Sequence, residues 1–149
     1  MQTFFSELWL PAPREKVFPF FADALNLELL TPPWLSFHVL NNGPVLMQAG
    51  TRIDYRLKIH GFPARWQSEI TVWDPPVCFV DAQRRGPYRA WIHVHTFEEQ
   101  NGGTLARDRV HYRPPGGAWM DRLFVRRDVE KIFAYRNQKL KELFGVPQS

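Results

Sequence analysis

Two histidines and two aspartates are spaced along this chain so that one face of a β-sheet can collect them. His93 and His95 stand two apart in Trp91-Ile92-His93-Val94-His95-Thr96-Phe97, and residues two apart on a strand share a face. Asp81 precedes them in Phe79-Val80-Asp81-Ala82-Gln83, and Asp108 follows in Arg107-Asp108-Arg109. A carboxylate beside an imidazole fixes its tautomer and raises its basicity, which suits general acid/base work on a carbonyl or an enolisable ring. The same four groups could instead satisfy one another as buried structure, or anchor the polar end of a ligand. Imidazole and carboxylate are also metal ligands, but this spacing matches no named metal motif, so no metal is expected.

Register decides whether the four meet. A hairpin around Asn101-Gly102 that pairs residue 99 with 104 sets 91 opposite 112, 93 opposite 110 and 95 opposite 108. A turn at Gly86-Pro87 that pairs 83 with 91 sets 81 opposite 93. His95 is then expected beside Asp108, and His93 beside Asp81. Gln83, Trp91, Phe97 and Tyr112 join the same face, and a slip of one residue would disperse them all. The opposite face, Ala90, Ile92 and Val94, is more aliphatic, so hydrophobicity alone does not say which is inside. Aromatic side chains with a few placed polar groups suit a ligand cavity, which favours the odd-numbered set.

These residues need elements to hold them. Residues 3–10 read as a strand ended by Pro11 and Pro13, followed by a short helix from Arg14 to about Asp23 that Pro19 limits. A second short helix, Leu25 to Leu30, stops before Thr31-Pro32-Pro33. Ile53, Tyr55, Leu57 and Ile59 alternate with Arg52, Asp54, Arg56 and Lys58, the period of a half-buried strand. Residues 64–73 repeat the pattern with Trp66, Ser68, Ile70 and Val72 on one face, and strands follow at 77–84, 88–98 and 104–113. Residues 118–144 hold no glycine or proline and carry Leu123, Val129, Ile132, Phe133, Leu140 and Leu143 at helical spacing, with Gly145 as the stop. One long amphipathic helix is predicted. Arg136 falls on its apolar stripe, where it either pairs with Asp81, Asp108 or a ligand anion, or snorkels to water.

The chain of 149 residues is long enough for one domain spanning 1–149 with a real core. Cys78 is the only cysteine, which removes internal disulfides and multi-cysteine zinc sites and fits a reducing cytoplasm. The net charge of +4 comes from 19 basic and 15 acidic residues without a block of either sign, so nucleic acid is not an expected partner. No apolar run is long enough for stable membrane insertion, and no basic helix with an exposed Trp or Phe face stands out. No glycine-rich nucleotide loop is present, so no cofactor is expected. Trp34 and Trp66, near a cavity mouth, read as core aromatics. The oligomeric state stays open.

The order of elements resembles the START-related superfamily of polyketide cyclases/dehydratases and ligand carriers (SRPBCC). More closely, Leu30-Thr31-Pro32-Pro33-Trp34, Phe79-Val80-Asp81-Ala82-Gln83, Gly86-Pro87-Tyr88 with Trp91, His93, His95 and Phe97, and Asp108 with Tyr112 and Pro114 look like a bacterial subgroup of it. The resemblance implies an α+β helix-grip fold, a curved antiparallel sheet of about seven strands around a long C-terminal helix, with a cavity between them. It implies function only by analogy, because one fold hosts carriers, sensors and enzymes. The function expected is binding of a small hydrophobic or aromatic molecule with a polar end, by Trp66, Asp81, Gln83, Trp91, His93, His95, Phe97, Asp108, Tyr112 and Arg136. The alternative is a cofactor-independent cyclase/dehydratase with His93, His95, Asp81 or Asp108 as its acid and base.

Overall fold

The computed structural model describes residues 1–145. Strand β1 (Gln2–Leu10) leads into helices α1 (Arg14–Phe21) and α2 (Asn26–Leu30), then a single 3-10 turn, Pro33–Leu35. Strands β2 (His38–Val39), β3 (Arg52–Ile59), β4 (Phe62–Asp74), β5 (Cys78–Arg85), β6 (Ala90–Gln100) and β7 (Gly103–Arg113) follow. All seven form one antiparallel sheet in the order β1-β7-β6-β5-β4-β3-β2. The two-residue β2 carries too little pattern to be read from sequence.

Two tight hairpins set the register. Ile59 pairs with Phe62 across His60 and Gly61, and Gln100 pairs with Gly103 across Asn101 and Gly102. All four turn residues have positive φ, as the turn that matches strand twist requires. The second loop is therefore two residues long, with 99 opposite 104 as expected. Between β4 and β5 the register shifts at Gln67/Ser68 and again at Ile70/Val72. Such bulges bend a sheet and reset its alternation. Trp66, Ser68 and Ile70 accordingly face inward, but Val72 is 45% exposed instead of sharing their face.

The C-terminal element is not one uninterrupted α-helix. A turn of helix, α3 (Ala118–Met120), passes into a π-helical segment, Asp121–Val125, before α4 (Arg126–Leu143). The wider π turn changes the helical phase. Val125, Val129, Phe133, Arg136 and Leu140 face the sheet, while Leu123 and Leu143, expected on the buried stripe, are exposed. Two apolar clusters result. Phe18, Phe21, Phe79, Phe97 and Leu140 belong to one, packed under α1, and Val110, Tyr112, Val125, Val129 and Phe133 form the other. On β6 the inward positions run from Trp91, packed against the second cluster, to Phe97 in the first, and the two histidines lie between.

Candidate functional site

β6 brings His93 and His95 to the inner face with 6% and 3% of their surface exposed. Asp81 on β5 is opposite His93, and Asp108 on β7 is opposite His95. The side chains nevertheless couple diagonally, which corrects the pairs expected from the ladder. His93 Nε2 lies 2.7 Å from Asp108 Oδ1, and His95 Nε2 lies 2.7 Å from Asp81 Oδ2. Each imidazole leans across its strand instead of meeting the residue opposite, because the two rings stack on each other at 3.6 Å between centroids, 24° from parallel. Phe79 extends the stack, 4.0 Å from His95, and Phe133 of α4 meets His93 edge-on. Diagonal neighbours on a twisted sheet stay within reach of long side chains.

Asp108 is the hub. Besides His93 it has His95 Nδ1 at 3.5 Å, an ion-pair contact, and Arg136 Nη2 at 3.4 Å. Arg136 is buried, so the paired reading holds rather than the snorkelling one; its guanidinium lies over the rings of Phe21 and Phe133.

The two histidines are driven apart in basicity. Burial, together with the charge on His95, lowers His93 to about 4 despite its bond to Asp108. For His95 burial also lowers the value, but the two neighbouring carboxylates, Asp108 and Asp81, outweigh it and the net shift is upward. Two imidazolium rings at this separation would repel by about 5 kcal/mol at an effective dielectric of about 20, so the stack carries at most one positive charge. Burial alone would raise both carboxyls. Asp108 is instead held well below the usual range by Arg136 and the histidines, and Asp81 is lowered by His95. Two carboxylates, one guanidinium and one imidazolium make a neutral cluster.

This arrangement is a poor metal site although Asp81, His93 and His95 cluster closely. Both Nε2 atoms are spent on carboxylates, so an ion here would have to displace those hydrogen bonds or take Nδ1.

A cavity of about 440 Å³ opens between the sheet and the helices, a size suited to a small organic ligand. Trp66, Asp81, Trp91, His93, His95 and Arg136 line it. Four other residues expected there do not. Gln83 turns back to bond the N–H and carbonyl of Tyr88, closing the β5–β6 turn. Phe97 is core, packed on Phe18 and Phe21. Tyr112 donates to Asp121 at 2.6 Å, and burial with that bond raises it to about 12. Asp108 sits behind the histidines. Trp34, expected in the core, is 56% exposed and stands against Tyr135 at the mouth.

The sequence reading missed the Tyr55–Ser68–Trp66 group. Ser68 Oγ accepts from Trp66 Nε1 at 3.0 Å and meets Tyr55 Oη at 2.5 Å, and both rings line the cavity. Burial, and the charge of Asp81, raise the Tyr55 hydroxyl far above its usual range. Alternation had placed Trp66 and Ser68 on one face; nothing in it marks Tyr55 as their partner across the ladder.

With this geometry in hand, the family is decided by a single match. The family model described as polyketide cyclase / dehydrase and lipid transport covers residues 10–140. The chain belongs to that family. No curated protein sequence matches it. Among solved structures, CV1439 from Chromobacterium violaceum superposes with a TM-score of 0.77 at 16% identity, covering 99% of this chain and 100% of that one. Ginseng major latex-like protein 151 from Panax ginseng gives 0.70 at 9% identity, with 98% of each chain covered. Ara h 8.0201 gives 0.68 at 15%, covering 98% of this chain and 99% of that one. At such identities they speak to the helix-grip fold alone, which this family member shares.

Proposed function

We propose that the cavity binds a small, largely apolar or aromatic molecule whose oxygen-bearing end meets His93 and Arg136, and that the protein is a cytoplasmic carrier or sensor. The family and fold fit either a hydrophobic-ligand protein or a cyclase-like one. The observation that carries the finer reading is polarity inside the cavity. Its walls are mainly aromatic and aliphatic, Trp66, Trp91, Tyr55 and Leu57 among them, with the charged cluster gathered on one stretch. There His93 commits Nε2–H to Asp108, which leaves the neutral Nδ1 of this cavity-lining ring as an acceptor. Arg136 spends Nη2 on Asp108, and its Nε, buried without a hydrogen-bond partner, remains as a donor. A ligand end with a hydroxyl next to a carbonyl, or a carboxylic acid, satisfies both.

Native mass spectrometry of protein purified from its own cytosol, followed by extraction, tests this. The expected result is a non-covalent apolar molecule bearing oxygen, retained weakly or not at all by Arg136→Met. Protein that carries nothing, and that gives no response to added apolar acids or phenols, would end the proposal.

One observation favours an enzyme as the second reading. A neutral His93 oriented by Asp108, beside a protonated His95, is a separated base and acid of the kind proton-transfer catalysis uses. If His93→Ala and His95→Ala left affinity for the extracted molecule intact but abolished its turnover, a cyclase or dehydratase reading would replace the carrier.

A further inference from the structure

The turn that breaks the C-terminal helix exposes a surface that the sequence pattern conceals. Trp119, Leu123 and Phe124 are 62%, 56% and 53% exposed, three large apolar side chains within six residues. The π-helical segment brings positions four and five apart onto one side while Asp121 and Val125 point to the sheet. Arg122 and Arg127 stand exposed among them, with Lys131 one turn on. Among the described residues these three cations have no acidic partner. The nearby acids are taken: Asp121 by Tyr112, Asp128 by His60 and Glu130 by Arg126.

The surface runs into the cavity mouth. His60 and Asp128, bonded at 2.7 Å, fasten the β3–β4 hairpin to α4, and both line the opening with Lys131. Two residues past His60, Phe62 is 76% exposed.

We propose that this face docks peripherally on an anionic phospholipid bilayer, with Trp119, Leu123 and Phe124 entering the interface and Arg122, Arg127 and Lys131 lying among the phosphates. Scattered exposed apolar residues need no explanation, but a contiguous aromatic set bordered by unpaired cations is the pattern of an interfacial helix. Charge favours a lipid surface over a second copy of the chain, since a two-fold pairing of this face would oppose its own cations. No helix among the described residues is long and apolar enough to cross a membrane, so the contact is superficial. Docking holds or fails independently of what the cavity contains. If both readings hold, the ligand enters from the lipid side.

Co-sedimentation with phosphatidylcholine vesicles, with and without phosphatidylglycerol, provides the test. Binding is expected only with the anionic vesicles and weakens with added salt. Arg122→Gln with Arg127→Gln lowers it about 25-fold, at about fivefold per removed cation, and Trp119→Ser with Phe124→Ser removes most of it. Both variants change exposed side chains, and an unaltered circular dichroism spectrum establishes that they fold. Equal binding to neutral vesicles, absence of binding, or wild-type binding by both variants would overturn the proposal. So would a dimer, seen by light scattering, that Trp119→Ser with Phe124→Ser dissociates.

Discussion

His93 and His95 stack face to face at 3.6 Å, yet each bonds a carboxylate on a different neighbouring strand, Asp108 on β7 and Asp81 on β5. The two rings are shifted in opposite directions, and stability should depend on pH from both sides. Between about 6.5 and 4 the unfolded chain protonates His93 while the native chain does not, so stability falls as pH drops through that window, by at most about 3 kcal/mol. His95 does the reverse. Its raised value means its contribution is complete below about 6.5 and is lost as pH rises through the folded value. Urea unfolding across this range should show a maximum near the ordinary histidine pKa. His93→Gln should flatten the acid limb and His95→Gln the alkaline one; an acid limb unchanged in His93→Gln would refute the assignment.

Nitrogen-15 NMR of the imidazoles checks the same point directly. Near pH 6, His93 should report a neutral ring protonated at Nε2, because Asp108 accepts from that atom, and His95 an imidazolium. Two neutral rings would be incompatible with it.

Asp108 compensates a buried guanidinium. Asp108→Asn leaves Arg136 without its counter-charge and should cost about 3–5 kcal/mol in chemical denaturation. Adding Arg136→Met to that variant should restore much of the loss. Additive costs for the pair would mean that the two do not act as a unit.

Ser68 holds two cavity rings at once. Ser68→Ala leaves the Trp66 N–H without its acceptor and the Tyr55 hydroxyl without its partner, and should destabilise by about 1–3 kcal/mol. Tryptophan fluorescence should also report a more mobile Trp66. A variant as stable as the parent would show that water replaces the serine at no cost.

Gly103 opens β7 against the end of β1. A Cβ there would lie 2.3 Å from the Leu10 carbonyl oxygen and 2.6 Å from the Trp9 ring, and the ladder pairing Leu10 with Thr104 prevents that backbone from moving aside. Gly103→Ala should cost about 1–3 kcal/mol in the same denaturation assay. A neutral effect would show that β1 can separate from β7 at this end.

Much of this protein was determined by local pattern. Alternation in 51–59 and 88–113, the proline stops after β1 and α2, and the Asn101-Gly102 turn dictate strands, breaks and register, because they act through neighbours in sequence. Register alone put Asp81 opposite His93 and Asp108 opposite His95. Only the tertiary structure decided which carboxylate each imidazole takes, since the two rings stack on each other, with Phe79 stacked on His95 and Phe133 edge-on to His93, and lean off the ladder. Packing likewise turned Gln83, Phe97 and Tyr112 away from the cavity, and the bulges of β4 and the π turn before α4 altered phases that a regular period had assigned to Val72 and Leu123. Periodicity fixes a face only while its element stays regular. Where a bulge or a wider turn intervenes, contacts from distant segments choose the side.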